Sequence, residues 1–196
     1  MENPIIFKIG GKIKKPKIQK IFENAKKEKV TLNGELEFSI EEFKNNLKIA
    51  SNTSTPIIFE TENSKGNLPL LEKCCIENNL SFHRFCRENH RQPTITVYNS
   101  NNDKRFKECG PQTLPIDIDT GTPLVPLDIM KNISSGEKNI TPNIMWGLIT
   151  EAEYKNKKIE VSREYKKING QAPMTINRFI INLKKFFEPI KVEITE

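Results

Sequence analysis

The chain reads as an α+β protein, with a mixed α/β N-terminal region over residues 1–136 and a small, mostly helical module over 137–196. Three observations predict this. Apolar residues alternate at Ile5, Phe7 and Ile9 and again through Thr94–Tyr98, the period-two pattern of strands with one buried face. Between those stretches Ile18, Ile21, Phe22 and Ala25, and then Ile40, Phe43, Leu47 and Ala50, recur at the spacing of one helix face. Beyond residue 140 the apolar spacing becomes predominantly helical.

Taken in order, the first strand meets Gly10 and Gly11, which predict a hairpin or a glycine loop; a phosphate-holding loop lacks the Walker spacing here. Pro16 opens a helix with Lys17, Lys20 and Lys27 opposite its apolar stripe, a basic ridge. Residues 30–38 read as extended and broken at Asn33 and Gly34. Ser39 with Glu42 then forms a capping box for the second helix, closed by a polar loop over 51–55. Residues 56–61 form a short strand, and Asn67 with Pro69 begins a helix that reaches about Asn79 through Leu71, Cys74 and Cys75. Residues 80–87 and 94–98 are two strands joined by a polar turn, and 114–119 is another.

In the module, Thr141 and Pro142 start a helix carrying Ile144, Met145, Leu148, Ile149 and Ala152. Residues 159–169 fit either a helix or a strand, and Gly170 ends them. Thr175 caps a helix with Ile176, Phe179, Ile180, Leu183 and Phe187 inward, Pro189 stops it, and Ile190, Val192 and Ile194 form a last strand.

Charge is unevenly placed. Residues 1–29 hold nine lysines against three glutamates and so carry the whole net charge of +6. Lys12, Lys14, Lys15, Lys17, Lys20 and Lys27 are the expected contact residues of a cationic surface. Such a surface concentrates polyanions and releases counterions from each phosphate it neutralises, so nucleic acid, DNA above all, is the expected partner class, with an acidic protein surface as the alternative. The plainer reading is a solvated lysine-rich face. A second patch, Arg84, Arg87 and Arg91 interleaved with Phe82 and Phe85, has a composition suited to single strands or to a protein hot spot; in the plainer reading its phenylalanines are core and its arginines solvated.

The text of residues 165–183, with Tyr165, Gly170, Pro173, Met174, Thr175, Phe179 and Leu183, resembles the winged-helix segment of phage, plasmid and large-DNA-virus primase-helicases. The resemblance covers about thirty residues. It implies a winged-helix-like module, a mobile-element setting, and a third helix presenting Thr175, Asn177, Arg178, Asn182, Lys184 and Lys185 to phosphates and base edges. The seven residues after Pro189 leave room for one strand and no full wing hairpin, and nothing in the chain resembles the ATPase or primase parts.

Asp117 and Asp119, followed by Thr120, Gly121 and Thr122, are similar to the D-x-D start of haloacid-dehalogenase phosphatases and to the D-T-G-T of retroviral-type aspartic proteases, which makes a hydrolase the third reading. A polar turn at a strand end uses the same residues. No metal site is expected, because His83 and Cys86 on one strand point to opposite faces, and no cofactor is expected either. Cys74, Cys75, Cys86 and Cys109 have no C-x-x-C spacing and read as reduced thiols. No apolar run approaches the roughly 20 residues of a membrane span. Met1, Glu2, Asn3 and Pro4 lack the order of a secretory signal, so a cytoplasmic, non-enzymatic binding protein is the expectation.

Overall fold

The computed structural model describes residues 3–63, 65–87, 93–98, 111–117, 124 and 189–196. The chain divides into two compact units, one comprising residues 1–122 with 189–196 and the other 123–188. Of the second unit only Leu124 is described, and it is exposed. The helices expected within 141–187 therefore lie outside the described residues.

The first unit is an α+β body. Its strands are β1 (Asn3–Lys14), β2 (Thr31–Leu32), β3 (Ile57–Asn63), β4 (Ser81–Cys86), β5 (Thr94–Tyr98), β6 (Gln112–Pro115) and β7 (Val192–Thr195). Its helices are α1 (Ile18–Lys27), α2 (Ile40–Thr53) and α3 (Pro69–Glu77). The sheet runs in the order β2-β3-β1-β4-β5-β6 with every neighbour antiparallel, and β7 pairs β1 in parallel.

Register follows the alternation in the sequence. Ile5, Phe7 and Ile9 share a face with Thr61, Phe59 and Ile57 of β3 and with Cys86, Arg84 and Phe82 of β4. That face carries the core, in which Phe7, Phe43, Phe59 and Phe82 are fully buried. Phe43 stacks on Phe59 with centroids 5.8 Å apart, and Phe7 on Phe82 at 5.1 Å. Each such ring contributes about 1.5–3 kcal/mol by leaving water. α1 contributes Ile18, Ile21 and Ala25 to the core, and α2 contributes Phe43, Leu47 and Ala50.

Local signals produce the expected caps. The Ser39 amide donates to Glu42 Oε2 at 2.6 Å and the Glu42 amide to Ser39 Oγ at 3.2 Å, closing the capping box of α2. Asn33 and Gly34, both at positive φ, close a two-residue hairpin in which Leu32 and Glu35 exchange backbone hydrogen bonds. α2 runs three residues into the expected loop and is capped by Ser54 in the left-handed conformation. Asn67 does not cap α3: Leu68 holds that position, and its amide donates to Glu72 Oε1 at 3.2 Å.

Two expectations are corrected here. Gly10 and Gly11 make neither hairpin nor loop but sit inside β1, where the strand changes partners. The first part pairs β3 and β4 and the part from Gly11 onward pairs β7. A Cβ on Gly10 would stand 2.7 Å from Ile190 Cβ and 2.8 Å from the Lys191 amide nitrogen, so only hydrogen fits. Gly11 has φ +106, which favours glycine. The second correction concerns the last strand, assigned to the C-terminal module: β7 belongs to the first unit. Its Val192 amide donates to the Thr55 carbonyl at 3.0 Å, and the Gly11 amide donates to Lys191 O at 2.6 Å.

Candidate functional site

The end of β1 leads straight into α1 through a short 3-10 turn, Lys15–Lys17, with Pro16 supplying the fixed φ that starts it. Ile13 is buried, so strand alternation turns Lys12 and Lys14 outward. Lys15, Lys17, Lys20 and Lys27 are exposed as well. The six N-terminal lysines expected at the surface are all there.

Three of them converge. Lys12, Lys14 and Lys17 line a groove of about 200 Å³ together with Ile13 and with Glu77, Asn78, Asn79 and Leu80 from the end of α3 and the turn into β4. Asn79 stands at φ 54, a left-handed residue in that turn. The groove therefore offers ammonium groups from one wall and amide and carboxylate groups from the other. Lys27 lies at the far end of α1, about 15 Å along the axis from Lys17 at the rise of an α-helix.

Several of the amines already hold carboxylates. Lys20 Nζ donates to Glu77 Oε2 at 2.9 Å, Lys12 lies 3.8 Å from Glu193, and Lys15 is hydrogen-bonded to Glu196. Lys73 adds a further cation 3.9 Å from Glu77. The hydrogen bond from Lys20 holds the Glu77 carboxyl below the usual carboxylate range, with Lys73 and Lys17 adding to it, and the same bond raises Lys20. Lys14, Lys17 and Lys27 have no carboxylate within 4.0 Å among the described residues.

The second basic patch is corrected. Arg84 is not a surface cation: its side chain is 14% exposed, with Nε 2.8 Å from Glu72 Oε1. Its Nη2 donates to Thr96 Oγ1 at 2.9 Å and its Nη1 to the Gly66 carbonyl. Thr96 in turn shares a hydroxyl hydrogen bond of 2.8 Å with Thr113. This network clamps α3 to β4, β5 and β6. The reason is register, since Arg84 lies opposite Phe7 on the helix-covered face. Arg87 is exposed, and Arg91 lies outside the described residues.

His83 points to the opposite face from Cys86, as strand alternation requires. Burial, with Lys8 opposite, pushes its imidazole down to about 4, and Nε2 has no partner among the described residues. Cys74, Cys75 and Cys86 are buried, and burial raises the thiols of the first two. Asp117 is half-buried just past β6. Asp119, Cys109 and the C-terminal candidates Thr175, Asn177, Arg178, Asn182, Lys184 and Lys185 lie outside the described residues. Among the described residues no helix is long and apolar enough to cross a membrane.

No family model, curated protein or solved structure matches the chain. The groove must therefore be read from its own chemistry. Sequence reasoning missed Glu77, Asn78 and Asn79, because their place opposite the lysines comes from the packing of α3 beside α1 and has no signal in the local pattern.

Proposed function

We propose that the protein is a non-enzymatic, cytoplasmic nucleic-acid-binding protein, acting through its N-terminal lysine surface and, as a separate set of contacts, through Thr175, Asn177, Arg178, Asn182, Lys184 and Lys185. The observation that carries the reading is the convergence of Lys12, Lys14 and Lys17 on one groove, with Asn78 and Asn79 opposite. Ammonium groups neutralise phosphates and fix the position of the backbone, while side-chain amides both donate and accept, which suits sugar and base edges.

The test is fluorescence anisotropy of labelled single-stranded and duplex oligonucleotides between about 50 and 200 mM salt. Binding is expected to weaken steeply across that range, and the double variant Lys14→Glu with Lys17→Glu is expected to bind about tenfold or more weakly. Salt-independent binding, or none, removes the proposal.

One observation favours a second reading, a stoichiometric inhibitor or adaptor for an acidic protein. Lys12, Lys15 and Lys20 pair with carboxylates in this fold. That reading expects a defined complex in a pull-down that survives nuclease treatment. A hydrolase built on Asp117 and Asp119 expects a turnover that Asp119→Asn abolishes without unfolding the chain.

A further inference from the structure

The lysine surface brings its own anions. Glu77 from the end of α3, Glu193 from β7 and Glu196 just beyond it each meet a different lysine: Lys20, Lys12 and Lys15. Each lies far along the chain from its lysine, with Lys15 and Glu196 separated by 181 residues and Lys20 and Glu77 by 57. Glu77 meets the most cations, since Lys20 and Lys73 both reach it and Lys17 lines the same groove. β7 is a four-residue strand whose one paired neighbour among the described strands is β1, and its register sets Glu193 beside Lys12.

We propose that Glu77, Glu193 and Glu196 are intramolecular occupants of the basic surface, which a polyanionic strand displaces and a single small anion does not. The inference rests on the nucleic-acid reading above and concerns the selectivity of that same site. Each pair is exposed, with Glu196 93% and Glu193 60% accessible at the side chain, so each is individually weak and reversible. A lone phosphate exchanges one weak carboxylate pair for one phosphate pair and gains little. A strand presents several phosphates on one backbone, so after the first contact the others act at high effective concentration and displace the carboxylates together. Lys14 and Lys17, which have no carboxylate within 4.0 Å among the described residues, provide the first contact. The surface thereby discriminates by the number of linked phosphates without any cavity shaped to one of them.

The experiment measures oligonucleotide and inorganic phosphate affinities for the full chain, for the triple variant E77Q/E193Q/E196Q, and for a control triple, E35Q/E37Q/E62Q. The control removes the same charge from exposed glutamates that form no ion pair among the described residues. The site triple is expected to bind the oligonucleotide about tenfold more tightly than the control, and to gain measurable affinity for inorganic phosphate that wild type lacks. In a double-mutant cycle, Lys20→Met is expected to weaken binding more in the E77Q background than in wild type, because only there is the amine free beforehand. Equal gains from the two triples, or no coupling between Lys20 and Glu77, overturn the inference while leaving salt-dependent binding by wild type intact. Absence of salt-dependent binding in wild type and variants alike overturns the nucleic-acid reading and this inference with it.

Discussion

Arg84 with Glu72 and Lys20 with Glu77 are ion pairs of similar length, 2.8 and 2.9 Å, formed by neighbouring parts of the same helix α3. They do different things because of where they stand. The Arg84 pair lies beneath α3 on the core face, 14% and 17% exposed, and the guanidinium also donates to the Gly66 carbonyl and the Thr96 hydroxyl. The Lys20 pair lies at the surface, 50% and 43% exposed, where water and salt compete for both partners. Burial therefore turns a cation into a fastener, and exposure leaves it available to another anion.

The largest expected effect that tests this contrast is Arg84→Ala, which leaves the largely buried Glu72 carboxylate without its cation and takes one donor from the Thr96 hydroxyl. It is expected to cost about 3–5 kcal/mol in urea unfolding. Arg84→Met with Glu72→Met removes both charges at once and is expected to recover most of that loss. A large penalty in the double variant would show that Arg84 contributes more than compensation for Glu72.

Next comes a pH effect on the other face of the sheet. His83 titrates near 4 in the fold against an ordinary value of 6.5, so between those values the unfolded chain binds more protons than the folded one. Stability from this residue is present above about pH 6.5 and is lost as pH falls towards 4. The loss is about 2 kcal/mol after allowance for partial exposure. Unfolding midpoints measured across that window are expected to fall less steeply in His83→Gln. Parallel curves would place the acid sensitivity elsewhere.

Gly10→Ala follows, since its methyl would collide with Ile190 and Lys191. It is expected to destabilise by about 1–3 kcal/mol and to loosen β7, seen as faster exchange of the Gly11 and Val192 amides. The smallest effect is Lys20→Met, expected within about 0.5 kcal/mol of wild type in stability. A large loss there would erase the distinction between the two ion pairs.

Much of the fold was legible in the chain. The alternation at Ile5, Phe7 and Ile9, the capping box at Ser39 and Glu42, the Asn33–Gly34 turn and the apolar stripe of α1 are short-range patterns, and each element they predicted is present. The exposure of the six N-terminal lysines followed equally well, since Lys is costly to bury and alternation or helical period points it away from Ile13, Ile18 and Ile21. Arg84 misled because its spacing is indistinguishable from that of a solvated strand residue. What marks it as buried is the register opposite Phe7 and the arrival of Glu72 from α3.

The sequence by itself determined the three helices and the presence of most strands of the described body, though not the full extent of β1 or the bounds of β2 and β6, and it determined where α2 begins and that the net positive charge lies in the opening residues. These depend on contacts within a few positions along the chain, where period and capping act. Tertiary structure alone decided that β1 runs through its glycines to meet β7, that Arg84 is interior, and that Lys12, Lys15 and Lys20 face carboxylates from distant positions. Those outcomes depend on which strand lies beside which, a choice made by the packing of whole faces and written in no single stretch of residues.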